Sequence, residues 1–182
     1  LRGLLEDDLD TPVEGSVLSS VVPPATATLL PALEKLCGKA PLVLGPDTDH
    51  GIDIPYYDKK KLGNDRVADA IAVKALFPLP AAIFDMGTAT TIEVVEPENR
   101  YMGGLIFPGV KISLDALTSR TAQLPGISLD QPKQVIGKNT VDCMRSGMMY
   151  GTAAMIDGVV ERMEEELGFR ATLIATGGMA QF

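Results

Sequence analysis

Residues 81 to 95 constrain the fold more than any other stretch of the chain. An apolar run, Ala81-Ala82-Ile83-Phe84, ends in Asp85 and is followed by Met86, Gly87 and a cluster of hydroxyls at Thr88, Thr90 and Thr91. A second apolar run then occupies Ile92 to Val95. Short apolar runs separated by turn residues describe a buried strand, a tight turn and a returning strand. Gly87 permits the positive φ that such a turn can require, so that backbone N–H groups converge on an anion. The threonine hydroxyls can add phosphate contacts, and Asp85 stands where it can hold a cation beside them. The plainer alternative is a hairpin whose threonines reflect only their preference for strands.

Just upstream, Leu62-Gly63-Asn64-Asp65-Arg66 leads into Val67, Ala68, Ile71, Ala72, Ala75 and Leu76. This apolar set at three- and four-residue spacing predicts a helix from Arg66 to about Phe77. Asp65 therefore sits at the helix start, where two readings compete. It can be an N-cap, a device contributing roughly 1 kcal/mol. It can also be a carboxylate kept ionised by Arg66 and the helix dipole, facing a substrate hydroxyl. Pro78 and Pro80 close the helix and mark a boundary.

Elsewhere the pattern predicts strands at Val17–Val22, Leu42–Leu44 and near Ile54, and a helix over Pro24–Cys37. A charged loop covers Asp47–Lys61, and Gly103–Gly109 reads as a Gly/Pro-rich turn. Helices are expected over Val110–Ser119 and Val141–Leu167, and a last strand over Leu173–Ala175. With 46% hydrophobic and 22% charged residues, the 182-residue chain can build a core in one or two domains. A formal net charge of −8 disfavours nucleic acid, which rewards basic patches. A polyanionic substrate must then be met by local donors and metal rather than by a global field. Cys37 and Cys143 form neither a disulfide framework nor a metal-type spacing, so reduced thiols in the cytosol are the expectation. No apolar run approaches the roughly 18 residues of a membrane span.

Three further features have bland readings. Gly137-Lys138-Asn139-Thr140 ends like a Walker A loop, but Pro132 stands where that loop's first glycine must be, so it is not one. Thr140 is expected to cap the long helix. His50, the only histidine, sits in the acidic loop Asp47-Thr48-Asp49-His50 and reads as a solvated loop residue. Met144, Met148, Met149, Met155 and Met163 lie along the long helix with Gly147 and Gly151, a stripe expected to serve core or interface.

The order of the pieces carries the strongest signal. Tyr56 and Gly63-Asn64-Asp65-Arg66 precede Asp85-Met86-Gly87-Thr88-Ala89-Thr90-Thr91. Gly103-Gly104-Leu105-Ile106-Phe107-Pro108-Gly109, Thr121-Ala122-Gln123-Leu124-Pro125, Gly137-Lys138-Asn139-Thr140 and Thr176-Gly177-Gly178 follow. This series closely resembles the type III pantothenate kinases, bacterial enzymes that begin coenzyme A synthesis, and the likeness runs from about Ser19 to Gly178. Family members start with a strand carrying an Asp-x-Gly-Asn-Thr phosphate motif, which has no counterpart between Leu1 and Phe182. The resemblance therefore predicts that these residues are part of a longer protein. The Asp47–His50 loop is also more acidic than is usual in relatives.

The resemblance implies an α/β fold of two ribonuclease-H-like, actin-like ATPase domains with mixed sheets flanked by helices. Residues 1–79 and 80–182 would form the two domains, with the active site in the cleft between them. It implies ATP-dependent phosphorylation of pantothenate to 4'-phosphopantothenate in the cytoplasm. Asp65 would accept the proton of the attacking hydroxyl, and Tyr56, Gly63, Asn64, Arg66 and Thr140 would bind pantothenate. Thr88 with Gly87 would meet the ATP phosphates, and Gly177-Gly178 the adenosine side. Asp85 would hold potassium or ammonium, and Mg²⁺ would travel with ATP. The family is dimeric, which assigns the methionine stripe to an interface. Two alternatives stay open: another small-molecule kinase of the same superfamily, and a non-catalytic regulatory relative of the same fold.

Overall fold

The computed structural model describes residues 13–181; the first twelve residues of the expected N-terminal domain, Leu1 among them, and Phe182 lie outside that range. The chain is mixed α/β. Strand β1 (Val17–Leu18) pairs in parallel with β2 (Leu42–Val43), and helix α1 (Pro23–Cys37) connects them. Helix α2 (Asn64–Leu76) follows a long irregular segment. Then come β3 (Ala81–Met86), β4 (Ala89–Val95), β5 (Tyr101–Pro108), α3 (Val110–Arg120), α4 (Thr140–Leu167) and β6 (Thr172–Thr176).

The larger sheet has the order β5-β4-β3-β6, with β3–β4 and β4–β5 antiparallel and β3–β6 parallel. Its strands alternate between two buried faces, as the period of two requires. Ala81, Ile83 and Val95 lie on one face, packed with Tyr101, Val67, Ala70 and Val73 and with Leu44, Ile52, Ile54 and Leu62. Ala82, Phe84, Met86, Ile92 and Val94 lie on the other, against Ile156, Val159, Val160 and Met163 of α4. One core cluster thus joins residues from both sides of the Pro78–Pro80 link. Ile83 and Ile92 are fully buried, so truncating either to alanine removes about 2–5 kcal/mol of stability.

Four expectations need correction. The stretch Gly103–Gly109 is not a turn: all but its last residue belong to β5, which pairs with β4 along its length. Gly103 sits at the register shift between Val94 and Val95 with a φ of +109°, and Gly104 leaves no room for a Cβ against the Ile92 carbonyl. The strand near Ile54 reduces to a single parallel bridge, Asp53 with Arg100. Strand β1 ends at Leu18, since Ser20 to Val22 turn into α1 through the Ser20 hydroxyl, which Val22 N–H reaches at 3.2 Å. Finally, α2 buries Arg66, Val67, Ala70 and Val73, whereas Leu76 stays exposed. Val67, Ala68 and Ile71 of the apolar set do pack into the core, and Arg66 joins that face because Glu93 is its buried partner.

Candidate active site

The β3–β4 connection is the expected tight turn, formed by the two residues Gly87-Thr88. Its geometry differs from the expectation in two respects. Gly87 does not adopt positive φ, and its N–H donates to Ala89 O at 3.0 Å rather than standing free for an anion. Of the hydroxyls, Thr90 is buried and Thr91 Oγ1 donates to Glu93 Oε2 at 3.3 Å, so Thr88 is the exposed one. Gly109 supports the turn from below. Its N–H donates to Thr88 O at 3.1 Å, and a Cβ on it would collide with the Gly87 and Thr88 carbonyls.

Asp85 sits next to the end of β3, paired across the ladder with Thr91 and, in parallel, with Thr176. It shares the sheet face that carries Ile83 and Glu93, the face covered by α2. Gly177 follows Thr176 in left-handed backbone, φ +89°, a conformation that costs glycine least. The charges of Asp65, Asp69 and Asp85 act on one another here. Asp65 and Asp69 stand four residues apart on α2, and burial together with the charges of Asp85 and Asp65 pushes Asp69 up to about 6. Burial and the Asp65 charge raise Asp85 as well. Like charges sharing a poorly solvated site disfavour full ionisation, and a cation entering among them would relieve that cost. Among the described residues, no group of three His, Cys, Asp or Glu side chains is arranged as a metal-binding cluster.

The helix start is not capped by Asp65. Gly63 is the N-cap, and Asp65 lies inside the first turn, exposed, with Oδ1 accepting Arg66 N–H at 2.9 Å. Nor does the Arg66 side chain pair with it. Arg66 Nε donates to Glu93 Oε1 at 2.7 Å in an ion pair whose side chains are 9% and 0% exposed. Burial opposes the charge on Arg66, but the Glu93 hydrogen bond and the negative charges around it outweigh burial and raise its pKa. Burial lifts Glu93 to about 7, with the Arg66 hydrogen bond and charge pulling the other way. Tyr57 and Tyr101 flank the guanidinium, each ring centroid 5.8 Å from its central carbon. The Tyr101 hydroxyl is buried without a hydrogen-bond partner among the described residues, and burial drives its pKa well up.

Sequence reasoning missed Glu93, Asp69, Tyr57 and Tyr101. Glu93 had a visible signal: a lone acid inside an apolar strand must find a partner if it is buried. Asp69 had another, its i+4 relation to Asp65. The remaining expected contacts are more dispersed. Tyr56 is 66% exposed. Asn64 Nδ2 donates to Ser20 O at 3.4 Å. Thr140 opens α4 but is not its cap; Asn139 Oδ1 takes Asp142 N–H at 3.0 Å while Asn139 Nδ2 donates back to Asp142 Oδ2 at 2.7 Å. An asparagine immediately before the helix, with an acid three residues on, displaces threonine from that role. His50 Nδ1 accepts Ile52 N–H at 3.1 Å, a local loop contact.

Comparison with known proteins places the chain in a family. Residues 1–162 match the family model described as type III pantothenate kinase. The chain belongs to the type III pantothenate kinase family. It is 42% identical over 168 residues to the type III pantothenate kinase of Moorella thermoacetica, covering 92% of this chain and 66% of that one. It is 43% identical over 173 residues to that of Bacillus cytotoxicus, covering 93% and 64%. The chain thus spans just under two thirds of the length of these family members. A crystal structure from Campylobacter jejuni, described as a conserved Baf family transcriptional activator, superposes with a TM-score of 0.63 at 19% identity. It covers 97% of this chain and 74% of that one, a likeness of fold.

Proposed function

We propose that this chain is part of an enzyme that transfers the γ-phosphoryl group of ATP to the primary hydroxyl of pantothenate, the first step of coenzyme A synthesis. The observation that carries this reading is the meeting of Asp65, at the start of α2, with the Asp85-Gly87-Thr88 turn. It sets an exposed carboxylate near a turn whose Thr88 hydroxyl is exposed. Family membership and the matched relatives' names support it.

Phosphoryl transfer depends on positioning and charge neutralisation more than on covalent chemistry. In the proposed mechanism Asp65 orients the pantothenate hydroxyl and accepts its proton as the oxygen attacks phosphorus. Arg66, with Gly63 and Asn64, places the substrate, and Tyr56 and Thr140 complete its pocket. Thr88 donates to an ATP phosphate; Gly87 contributes room rather than a donor, because its amide is already bonded. Gly177 and Gly178 leave space on the adenosine side. Asp85 would hold a potassium or ammonium ion, whose charge would offset the mutual repulsion of Asp65, Asp69 and Asp85. Mg²⁺ arrives with ATP, for which phosphate oxygens are the natural ligands.

In the same reading, residues 1–79 and 80–182 are two ribonuclease-H-like units, the site lies between them, and the enzyme is a cytoplasmic homodimer. Among the described residues no helix is long and apolar enough to cross a membrane. The deciding experiment is a phosphorylation assay of the full-length protein with pantothenate against a panel of other hydroxylated acids and sugars. Selective formation of 4'-phosphopantothenate is expected. Turnover of another substrate only, or of none, overturns the proposal in favour of a different kinase or a regulatory relative.

A further inference from the structure

A line of side chains leads from the hairpin to the arginine at the start of α2. Thr91 Oγ1 donates to Glu93 Oε2 at 3.3 Å, and Glu93 Oε1 accepts from Arg66 Nε at 2.7 Å. The Arg66 guanidinium lies 5.8 Å from the ring centroids of Tyr57 and Tyr101, whose rings meet edge to face. Glu93 is completely buried in a strand whose neighbours, Ile92, Val94 and Val95, are apolar and buried. Ion pairs at such depth contribute little net stability compared with an apolar pair of similar volume, because both charges lose their water. Packing alone therefore does not account for this one.

Its geometry does. Arginine presents five donors in a rigid planar fork, so fixing Nε fixes the direction of the terminal amines as well. With Nε held by Glu93 and the adjoining rings of Tyr57 and Tyr101 packed against one side of it, the guanidinium has few orientations left. Tyr57 is 41% exposed and the Arg66 side chain 9% exposed, so the guanidinium lies just beneath the surface at this end of the site. Arg66 is also the neighbour of Asp65, the proposed base, in the first turn of α2.

We propose that Glu93 is a positioning residue for the phosphoryl transfer. It orients Arg66 through Nε so that the terminal amines meet the acidic substrate in one fixed pose, and so sets pantothenate affinity without touching pantothenate. The inference rests on the functional reading above. It makes the β4 strand part of the substrate site although no side chain of β4 reaches the substrate on this account.

Steady-state kinetics of the full-length protein test it. Glu93→Gln is nearly isosteric and removes the charge that aligns the fork. It is expected to raise the KM for pantothenate about tenfold, the scale of a modest misplacement of a binding group, and to leave the KM for ATP within about twofold. In an Arg66→Ala background the same substitution should add nothing, because its effect passes through Arg66; additive losses in that double-mutant comparison overturn the proposal. A purely structural role would lower the melting temperature and the active fraction while both KM values stayed put. Wild-type protein that does not phosphorylate pantothenate overturns the functional reading, and this inference with it. Active wild type with an unchanged pantothenate KM in Glu93→Gln overturns the positioning role alone. Should Glu93→Gln fail to fold, Glu93→Asp decides: it keeps the charge but withdraws the acceptor by one methylene. A raised pantothenate KM in that variant supports the proposal, and an unchanged one overturns it.

Discussion

Gly177 lies against Asp85: a Cβ on Gly177 would stand 2.5 Å from Asp85 Oδ1 and 2.7 Å from Met86 N and C. The contact joins the end of β6 to the end of β3, and Met179 N–H seals it by donating to Met86 O at 3.0 Å. Gly177→Ala must therefore strain a φ of +89° and push on the Asp85 carboxylate. We expect a loss of about 1–3 kcal/mol in stability together with most of the cation response. Gly178, where an added Cβ would meet nothing within 4 Å, serves as the control; Gly178→Ala should stay within about 0.5 kcal/mol. Thermal melts of the two variants, run side by side, check the contrast.

Asp65 yields a cleaner test than its sequence position suggests. Because Gly63 caps α2, replacing the Asp65 carboxylate removes no helix cap. Asp65→Asn should melt within about 0.5 kcal/mol of the parent, as exposed substitutions usually do. Its turnover should fall roughly 10²- to 10⁴-fold, the range of a positioned general base. Near-normal turnover in a well-folded variant would remove Asp65 from the mechanism.

What could be read in advance divides along physical lines. The β3–β4 hairpin, α2 and the long α4 were legible because strand and helix periods are local properties of neighbouring residues. The boundaries of β5 were not. Glycine and proline at 103, 104, 108 and 109 look like punctuation, and only the partner strand β4 shows that all but the last lie in a ladder. The positions of Asp65 in the first turn of α2 and of Asp85 near the end of β3 were legible because helix and strand boundaries show in the local pattern. The Arg66–Glu93 pair was not, because it spans 27 residues and depends on which face of β4 points at α2. Local spacing placed Arg66 beside Asp65; tertiary packing turned it to Glu93 instead.

Asp69 should make stability depend on pH. Its carboxyl titrates at about 6 in the folded chain against 3.8 for the free group, so the folded state binds the proton more tightly. Any stability from the protonated form is fully present below about 4 and is lost as pH rises through about 6, since the slope follows the difference in bound protons. The group is only half buried, so solvent screening reduces the effect to about 1 kcal/mol. Asp69→Asn cannot ionise. It should gain that amount relative to the parent at pH 8 and match it at pH 4. Denaturant melts at the two pH values measure the difference, and equal offsets at both would count against the carboxylate cluster.

Asp85 supplies the cation prediction. Burial and the Asp65 charge already raise its pKa, so it gains from a neutralising ion. Activity should depend on potassium or ammonium and be low in sodium alone. Asp85→Ala should lose that dependence along with most turnover, about 10²-fold or more if the ion stabilises transferring phosphate as preorganised charge does elsewhere. Initial rates in matched potassium and sodium buffers test it, and equal rates in the parent protein argue against an ion at Asp85.

The last prediction concerns α4 and the proposed dimer. Gly147, Met148, Gly151 and Met155 recur at helical spacing and line a groove with Phe107, Pro108 and Val110. A Cβ on Gly147 or Gly151 would meet nothing within 4 Å, so this face of α4 has room for another chain to approach. Methionines are suited to fill an irregular seam of that kind. If two copies pair through this face, Thr140 at the start of α4 would lie near the subunit boundary, and substrate binding would feel the pairing. Gly151→Glu places a charge in the groove, with the backbone free to accept a side chain there. The variant should become monomeric and bind pantothenate about tenfold more weakly, roughly 1.4 kcal/mol, with little change in its melting temperature at low protein concentration. Light scattering combined with a pantothenate titration checks both halves. A variant that stays dimeric with unchanged affinity would assign the methionine stripe to the chain's own surface and core.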